Sequence, residues 1–450
     1  MNLGAYNPIK RLNIKGKRIR GNSSSAKYWI DSTKYLQYKL LPDYIRIVRW
    51  DYAIDPLREI VFYVPLSALT TLLKEKVKDL WKHLYILNQI QQAYFQYRAN
   101  ENNGYYVSLS SRFLNKVLRR YRPIIDRLIS LEIVTERKGK YFSVGGELHQ
   151  RKNEFAIALE HRTRTVRLAY FNPKRAQKAH RRHQERILNV IGESPNKKHI
   201  YETMKMTTIL PQSMNYIDEL QDATEHQFDC YRRSVEAIQN SEYYLITDHK
   251  TGRLFNNFTN LWSNLRKFIK IAGECVGEID IANSQPLLAA NLYPDDSEEK
   301  QKYLEIVLEG DFYRTLEAAS GKKYPDYKKL KELVFQQVFF GSISDGNRRP
   351  LLRAFKALFP ELLEIINNMK EGQKNKLALE LQSIEANLVI GKVVNRLRLL
   401  GIPCLTVHDS VICKVSDVEA AYGILVEELE KLIGHKCKIK CKNYIESNAA

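Results

Sequence analysis

Apolar residues recur at intervals of three and four along LTTLLKEKVKDLWKHLYILNQI, and this spacing predicts helix across residues 55–100. The period then changes. SLSSRFLNKVLRRYRPIIDRLISLEIVTERKGKYFSVG predicts a short helix, a turn, a second helix at 121–131, and two β-rich runs, EIVTERK and KYFSVG, joined around Gly139. Residues from about 170 to 235 read as helical and polar. Near the end of the chain HKCKIKCKNYI alternates with a period of two, which puts Cys437, Ile439 and Cys441 on one side of a strand and lysines on the other. That reading is favoured over a metal site at His435, Cys437 and Cys441. The first 26 residues are basic and end in GNSSSAK, the composition of a flexible arm.

Composition narrows the partners. The chain carries 71 Lys+Arg against 51 Asp+Glu, a formal net charge of +20. With 44% hydrophobic residues it can bury a sizeable core, so wholesale disorder is excluded. A polyanion rewards many Lys/Arg contacts through counterion release, which makes nucleic acid the leading partner. No run approaches the ~20 apolar residues of a spanning helix, so a membrane is not expected and a cytoplasmic location is. Six cysteines, sparse and scattered, argue for free thiols rather than a disulfide framework.

The helix–turn–helix and following β-runs at about 105–146 resemble a winged helix, with Arg119, Arg120, Arg122 and Arg127 able to reach nucleic acid and a wing at 138–140. A second basic stretch, FNPKRAQKAHRRHQERILNV, adds Arg181 and Arg182 as candidate backbone contacts, beside the plainer reading of a solvated helix face.

Candidate chemistry begins at residue 251. Thr251-Gly252-Arg253-Leu254 is followed at fixed spacing by Asn260-Leu261 and Asn264. After LRKFI at 265–269 come GEIDIANSQPLLAA, with Asp280, and LEGDFYRTLEAASG. YKKLKELVFQQVFFGS then ends in Phe340-Gly341, LQSIEANLVIGKVV contains Gln382, and LTVHDSVICKV sets His408-Asp409 between two apolar runs. This order resembles the family A DNA polymerases and, more distantly, the single-subunit RNA polymerases that share their palm. The resemblance spans about 251–445.

It implies an α+β fold: a right-hand polymerase of palm, fingers and thumb, preceded by a mostly helical N-terminal region with a winged-helix-like module. The expected parts are a basic arm at 1–26, an N-terminal domain at 27–165, a thumb-like region at 166–250, and palm and fingers at 251–450, with the fingers at about 305–370. Asp280 and Asp409 are the implied catalytic carboxylates, holding two Mg²⁺ ions with Ile281 as a further metal contact and Mn²⁺ as a substitute. Such chemistry needs hard-ion ligands, because phosphoryl transfer develops charge on the attacking and leaving oxygens. Arg253, Asn260, Asn264, Gln382 and His408 are implied nucleic-acid contacts, and Gln285, Leu287, Phe340 and Gly341 implied nucleotide contacts.

Departures from the pattern are specific. Two extra residues separate Asp280 from Ser284-Gln285, and Leu287 stands where the family has the glutamate that excludes a ribose 2′-hydroxyl. The family's lysine eight residues before the aromatic is here Glu332, while Lys328 fits the basic position at twelve. At about 100° per residue a regular helix favours Lys328 and Lys329 beside Phe340, and only a bulged one brings in Lys331. The expectation is a DNA-directed DNA polymerase with relaxed sugar selectivity, acting on DNA template-primer and nucleoside triphosphates in replication of a mobile element. The alternatives are an RNA polymerase or primase of the same palm, with RNA as partner, and a DNA-binding replication initiator whose palm is inactive. His408-Asp409-Ser410 leans toward the RNA polymerases, TGRL…NL…N toward the DNA polymerases.

Overall fold

The computed structural model describes residues 41–48, 54–97, 106–138, 141–144, 147–150, 153–161, 165–221, 223, 225–308, 312–340, 349–373 and 375–444. The basic arm at 1–26 lies outside them. The fold mixes helix and sheet and divides into two compact units, Met1–Gln184 with Pro211–Glu242, and Glu185–Leu210 with Tyr243–Ala450. The expected thumb-like segment 166–250 is therefore shared between the two units, its helix Pro173–Glu193 carrying the chain across the first boundary.

In the first unit the strand Thr165–Phe171 lies between Ile45–Val48 and Glu59–Pro65, antiparallel to both. The helical expectation across 55–100 needs correcting here. Glu59–Pro65 reads EIVFYVP, a β-branched and aromatic run that loses little by extending and whose last four residues are all buried. Helix begins only after it, at Leu66–Lys74 and Leu80–Tyr97. The N-terminal region is thus mixed rather than mostly helical. Phe62, Leu69, Leu72, Leu84, Leu87 and Ile90 belong to its core, as do Ile125 and Leu128 from the helix Arg122–Ser130.

That helix and Ser111–Val117 accompany a small antiparallel sheet in which Glu154–Ile157 sits between Val107–Ser108 and Val134–Arg137. The partner of Val134–Arg137 is thus not the β-run that follows it. Tyr141–Val144 pairs instead with Glu147–Gln150, and 139–140, at the expected wing, lie outside the described residues.

The second unit is built on a six-stranded antiparallel sheet. Its order is Cys404–Val407, Ser410–Lys414, Glu274–Ile281, Ile269–Ile271, Thr207–Ile209, with Ile439–Asn443 also paired to Glu274–Ile281. The strand at 439–443 agrees with the alternation of HKCKIKCKNYI, although it starts after Cys437. Glu274–Ile281 is hydrogen-bonded on both edges, with Asp280 opposite Ser410 on one side and Lys440 on the other. The helix Val418–Ile433 approaches this strand so closely at Gly277 that a Cβ there would collide with Val418 and come within 2.7 Å of Asn443 Oδ1.

Two helices widen into π-turns. One is Tyr327–Val334 continuing through Phe335–Phe339; the other is Lys376–Ala386 continuing through Asn387–Val393 into Val394–Leu399. Such bulges insert one residue and locally shift every following side chain around the axis.

Candidate active site

Asp280 stands one residue before the end of its strand, and Asp409 occupies the two-residue turn that joins Cys404–Val407 to Ser410–Lys414. His408 makes that turn possible by adopting a left-handed backbone, φ 57°, and its ring meets Phe255 edge-on at 5.6 Å. The Ile281 amide donates to the Asp409 carbonyl at 3.5 Å, which ties the turn to the end of the neighbouring strand. Two carboxylates 129 residues apart thus meet at one end of the sheet.

Their electrostatics are unfavourable in a specific way. Burial pushes the Asp280 carboxyl up, Asp409 and Glu278 push it further, and against the opposition of Lys440 and Arg266 it reaches about 7. Burial also raises Asp409, with the Arg253 guanidinium and the Ser284 hydroxyl opposing. Among the described residues neither Asp280 nor Asp409 forms an ion pair. Glu278, two residues before Asp280 and so on the same strand face, is by contrast fully engaged. It accepts from Ser410 Oγ at 3.1 Å and from the Tyr444 hydroxyl at 2.7 Å, and it pairs with Arg266.

Behind Asp409 lies a buried acid. Glu385, 1% exposed on the helix Lys376–Ala386, accepts from Arg253 Nε and Nη2 at 2.9 and 2.6 Å and from Gln285 Nε2 at 2.7 Å. Burial and the charge of Asp409 push its carboxyl up to about 7 against the pull of Arg253. Arg253 and Gln285 are brought together by this residue, which sequence reasoning missed. The signal was present, since Glu385 is three residues beyond Gln382 and so shares a face of the same helix with it.

Lys331 is half-buried, its ammonium 4.9 Å from the Tyr313 ring and 5.0 Å from that of Tyr327. Burial and Lys440 lower its pKa while Asp280 raises it, so its ammonium sits within the field of the carboxylate. Lys328 and Lys329 are exposed, and Lys329 pairs with Glu332 at 3.3 Å. Phe340, 44% exposed, stacks on Phe335 at 5.4 Å and 14°. Gly341 lies outside the described residues. Leu287 is sealed at 1% exposure.

The remaining candidates are dispersed. Asn260 and Asn264 are exposed, Asn260 donating to the Tyr244 hydroxyl; Gln382 is half-buried. In the first unit Arg122 binds Glu136 through both terminal nitrogens at 2.7 Å and Asp126 through Nε at 2.7 Å, and Arg127 reaches Glu75 at 3.2 Å. Arg119 and Arg120 are exposed and pair with no acid among the described residues. Arg181 is exposed and Arg182 half-buried on Pro173–Glu193.

No group of three or more His, Cys, Asp or Glu among the described residues forms a ready-made metal cage. Two unpaired, mutually repelling carboxylates nevertheless suit Mg²⁺, which keeps waters and binds through one or two carboxylates plus substrate phosphates. No helix among the described residues is long and apolar enough to cross a membrane.

No known protein family and no curated protein sequence matches the chain. Among solved structures it is similar to the POL domain of Pol1 from M. smegmatis in complex with DNA primer-template and dNTP, at 12% identity and a TM-score of 0.39. The match covers 58% of this chain and 63% of that one, so the chain spans less than two thirds of the length of the polymerase chain it matches.

Proposed function

We propose that the second unit is the palm and fingers of a template-dependent nucleotidyltransferase, a DNA-directed DNA polymerase, with Asp280 and Asp409 as its catalytic carboxylates. The observation that carries this reading is the meeting of two half-buried carboxylates, neither in an ion pair among the described residues, at one end of an antiparallel sheet, each with its pKa raised. Two Mg²⁺ ions held there would activate the primer 3′-hydroxyl and offset charge on the triphosphate. Without them the site repels its own polyanionic substrate, and with them the raised carboxyls ionise at neutral pH.

The chain's other groups have complementary roles. Lys331 supplies positive charge for the triphosphate, and Phe340 offers an exposed ring for a base. Arg253 is kept in place by Glu385, and Arg266 holds Glu278 away from the metal positions. The module of two helices and a three-stranded sheet in the first unit is proposed as a winged-helix nucleic-acid contact, with Arg119 and Arg120 as its available cations.

A reading as an RNA polymerase draws on Ser410 and on Leu287, which leaves no carboxylate in the ribose-excluding position. The test is extension of a labelled primer on a DNA template with dNTPs or rNTPs in separate reactions, plus a no-primer control. Extension with dNTPs, and weaker extension with rNTPs, is expected. Synthesis from rNTPs without primer would favour the RNA polymerase, and no incorporation under any condition would reject both.

A further inference from the structure

Lys370, the last residue of the helix Pro360–Lys370, is only 5% exposed, an unusual setting for a lysine. Its Nζ donates to the Val338 carbonyl at 2.9 Å. Val338 belongs to the π-turn Phe335–Phe339, at the end of its helix, where carbonyls lack an onward helical donor. One residue earlier, Gln337 Oε1 accepts from the Leu351 amide at 3.1 Å, so the bulge is held from two separate helices. Burial and the charge of Arg349 pull the Lys370 ammonium down to about 8, a cost that its bond to Val338 offsets.

The bulge decides which lysine shares a helix face with Phe340. Nine residues separate Lys331 from Phe340, which on a regular helix of about 100° per residue would set them on opposite sides. One inserted residue removes about 100° of that phase and leaves them about 80° apart. Lys331 itself is half-buried, its ammonium 4.9 and 5.0 Å from the Tyr313 and Tyr327 rings, where the charge of Asp280 acts on it.

We propose that Lys370 is a positioning residue: by holding the Val338 carbonyl it fixes the π-turn and thereby keeps Lys331 turned toward Asp280 and the face of Phe340. Its kinetic consequence rests on the polymerase reading above; its structural consequence does not. A merely stabilising lysine would lower melting temperature without touching nucleotide affinity or the environment of Lys331.

The experiment is a double-mutant cycle in the full chain with K370M, K331M and the pair, after thermal melts have established that each is folded. K370M is expected to raise KM for dNTP about tenfold with kcat within about threefold, and K370R to recover part of that loss. Because Lys370 acts through Lys331, the double variant should be no worse than K331M alone. In parallel, amine-reactive labelling read by mass spectrometry should show the Lys331 labelling rate altered at least about threefold in K370M, without any substrate present. Multiplying penalties in the cycle, or an unchanged Lys331 labelling rate, would overturn the proposal. If wild type extends no primer, the polymerase reading fails and the labelling comparison alone decides the role of Lys370. If K370M does not fold, K370Q, which loses the ammonium and reaches less far, enters the same cycle and labelling assay and decides it by the same two outcomes.

Discussion

Each unit withdraws carboxylates from water, and the two differ in the sign of the strongest charge beside them. In the first, Glu236 is 1% exposed and lies 2.5 Å from the fully buried Arg167, with the Tyr63 hydroxyl donating at 3.3 Å. Burial pushes the Glu236 carboxyl up to about 8, with Arg167 pulling against that, Glu242 adding to it and Arg233 opposing again. In the second unit burial raises Asp280, and the charge that acts on it most strongly, Asp409, raises it again. A buried acid beside a guanidinium fastens a helix to a sheet, here Glu225–Gln239 to the strand Thr165–Phe171. A half-buried acid beside another acid does nothing for the fold, and on the proposed reading a cation supplied from outside offsets their repulsion.

The strongest way to break this contrast is to remove each acid in turn. Asp280→Ala or Asp409→Ala should lower incorporation by at least about 10³-fold, the loss of several kcal/mol of transition-state stabilisation, while binding of primer-template persists. Primer extension beside a filter-binding assay separates the two, and wild-type rates in either variant would remove the catalytic assignment. Glu236→Ala should do the reverse. It takes the ion-pair partner Glu236 from the buried Arg167 and should cost about 3–5 kcal/mol of stability, visible in denaturant unfolding of the full chain.

A pH series sharpens the comparison. Because the folded-state pKa of Asp280 is raised to about 7, the fold prefers the protonated carboxyl. The associated stability is present in full below the unfolded value near 4 and is lost as pH rises through about 7. Asp280→Asn cannot ionise, so in metal-free buffer it should gain about 2 kcal/mol over wild type at pH 8, roughly 4–8 °C in melting temperature, and nothing at pH 4. Mg²⁺ at pH 8 should close most of that gap by stabilising wild type alone. A gap of equal size at both pH values would mean that Asp280 does not titrate as described.

The smallest expected effect carries the contrast to the surface. Arg119→Ala and Arg120→Ala should each reduce the log–log salt slope of duplex binding by about 0.9. Arg122→Ala should leave the slope nearly unchanged, since its guanidinium is already committed to Glu136 and Asp126. A salt titration of all three variants reads this directly, and equal slopes for Arg122→Ala and Arg119→Ala would mean that the Glu136 pairing does not hold in the complex.

How far the sequence could be read depended on what kind of order each feature has. Asp280 and Asp409 were visible because a short apolar strand before one and a tight turn between apolar runs around the other are local patterns. Glu278 could have been found from alternation alone, since every second residue of a strand shares a face. Glu385 was harder, because its partners Arg253 and Gln285 lie 132 and 100 residues away and only the folded chain joins them. The strand Glu59–Pro65 was missed when the strong helical period after it was extended backward over seven residues of β-branched and aromatic character. The π-turn at Phe335–Phe339 left one trace, a lysine one residue out of register, because periodicity assumes a constant angle per residue and cannot reveal where a helix gains one.

The strand that carries Asp280 has neighbours on both edges, Ser410–Lys414 and Ile439–Asn443, over the same residues from Gly277 to Asp280. Successive amides of this segment point to opposite edges, so each is held by one ladder: some bond to the buried strand Ser410–Lys414, the others to the largely exposed strand Ile439–Asn443. Deuterium should therefore enter last at the amides bonded to Ser410–Lys414, and earlier at those freed when Ile439–Asn443 peels away. On the proposed reading, a site mounted on such a strand cannot adapt to its substrate by moving its floor. Whatever changes shape during turnover must do so in the helices that face it.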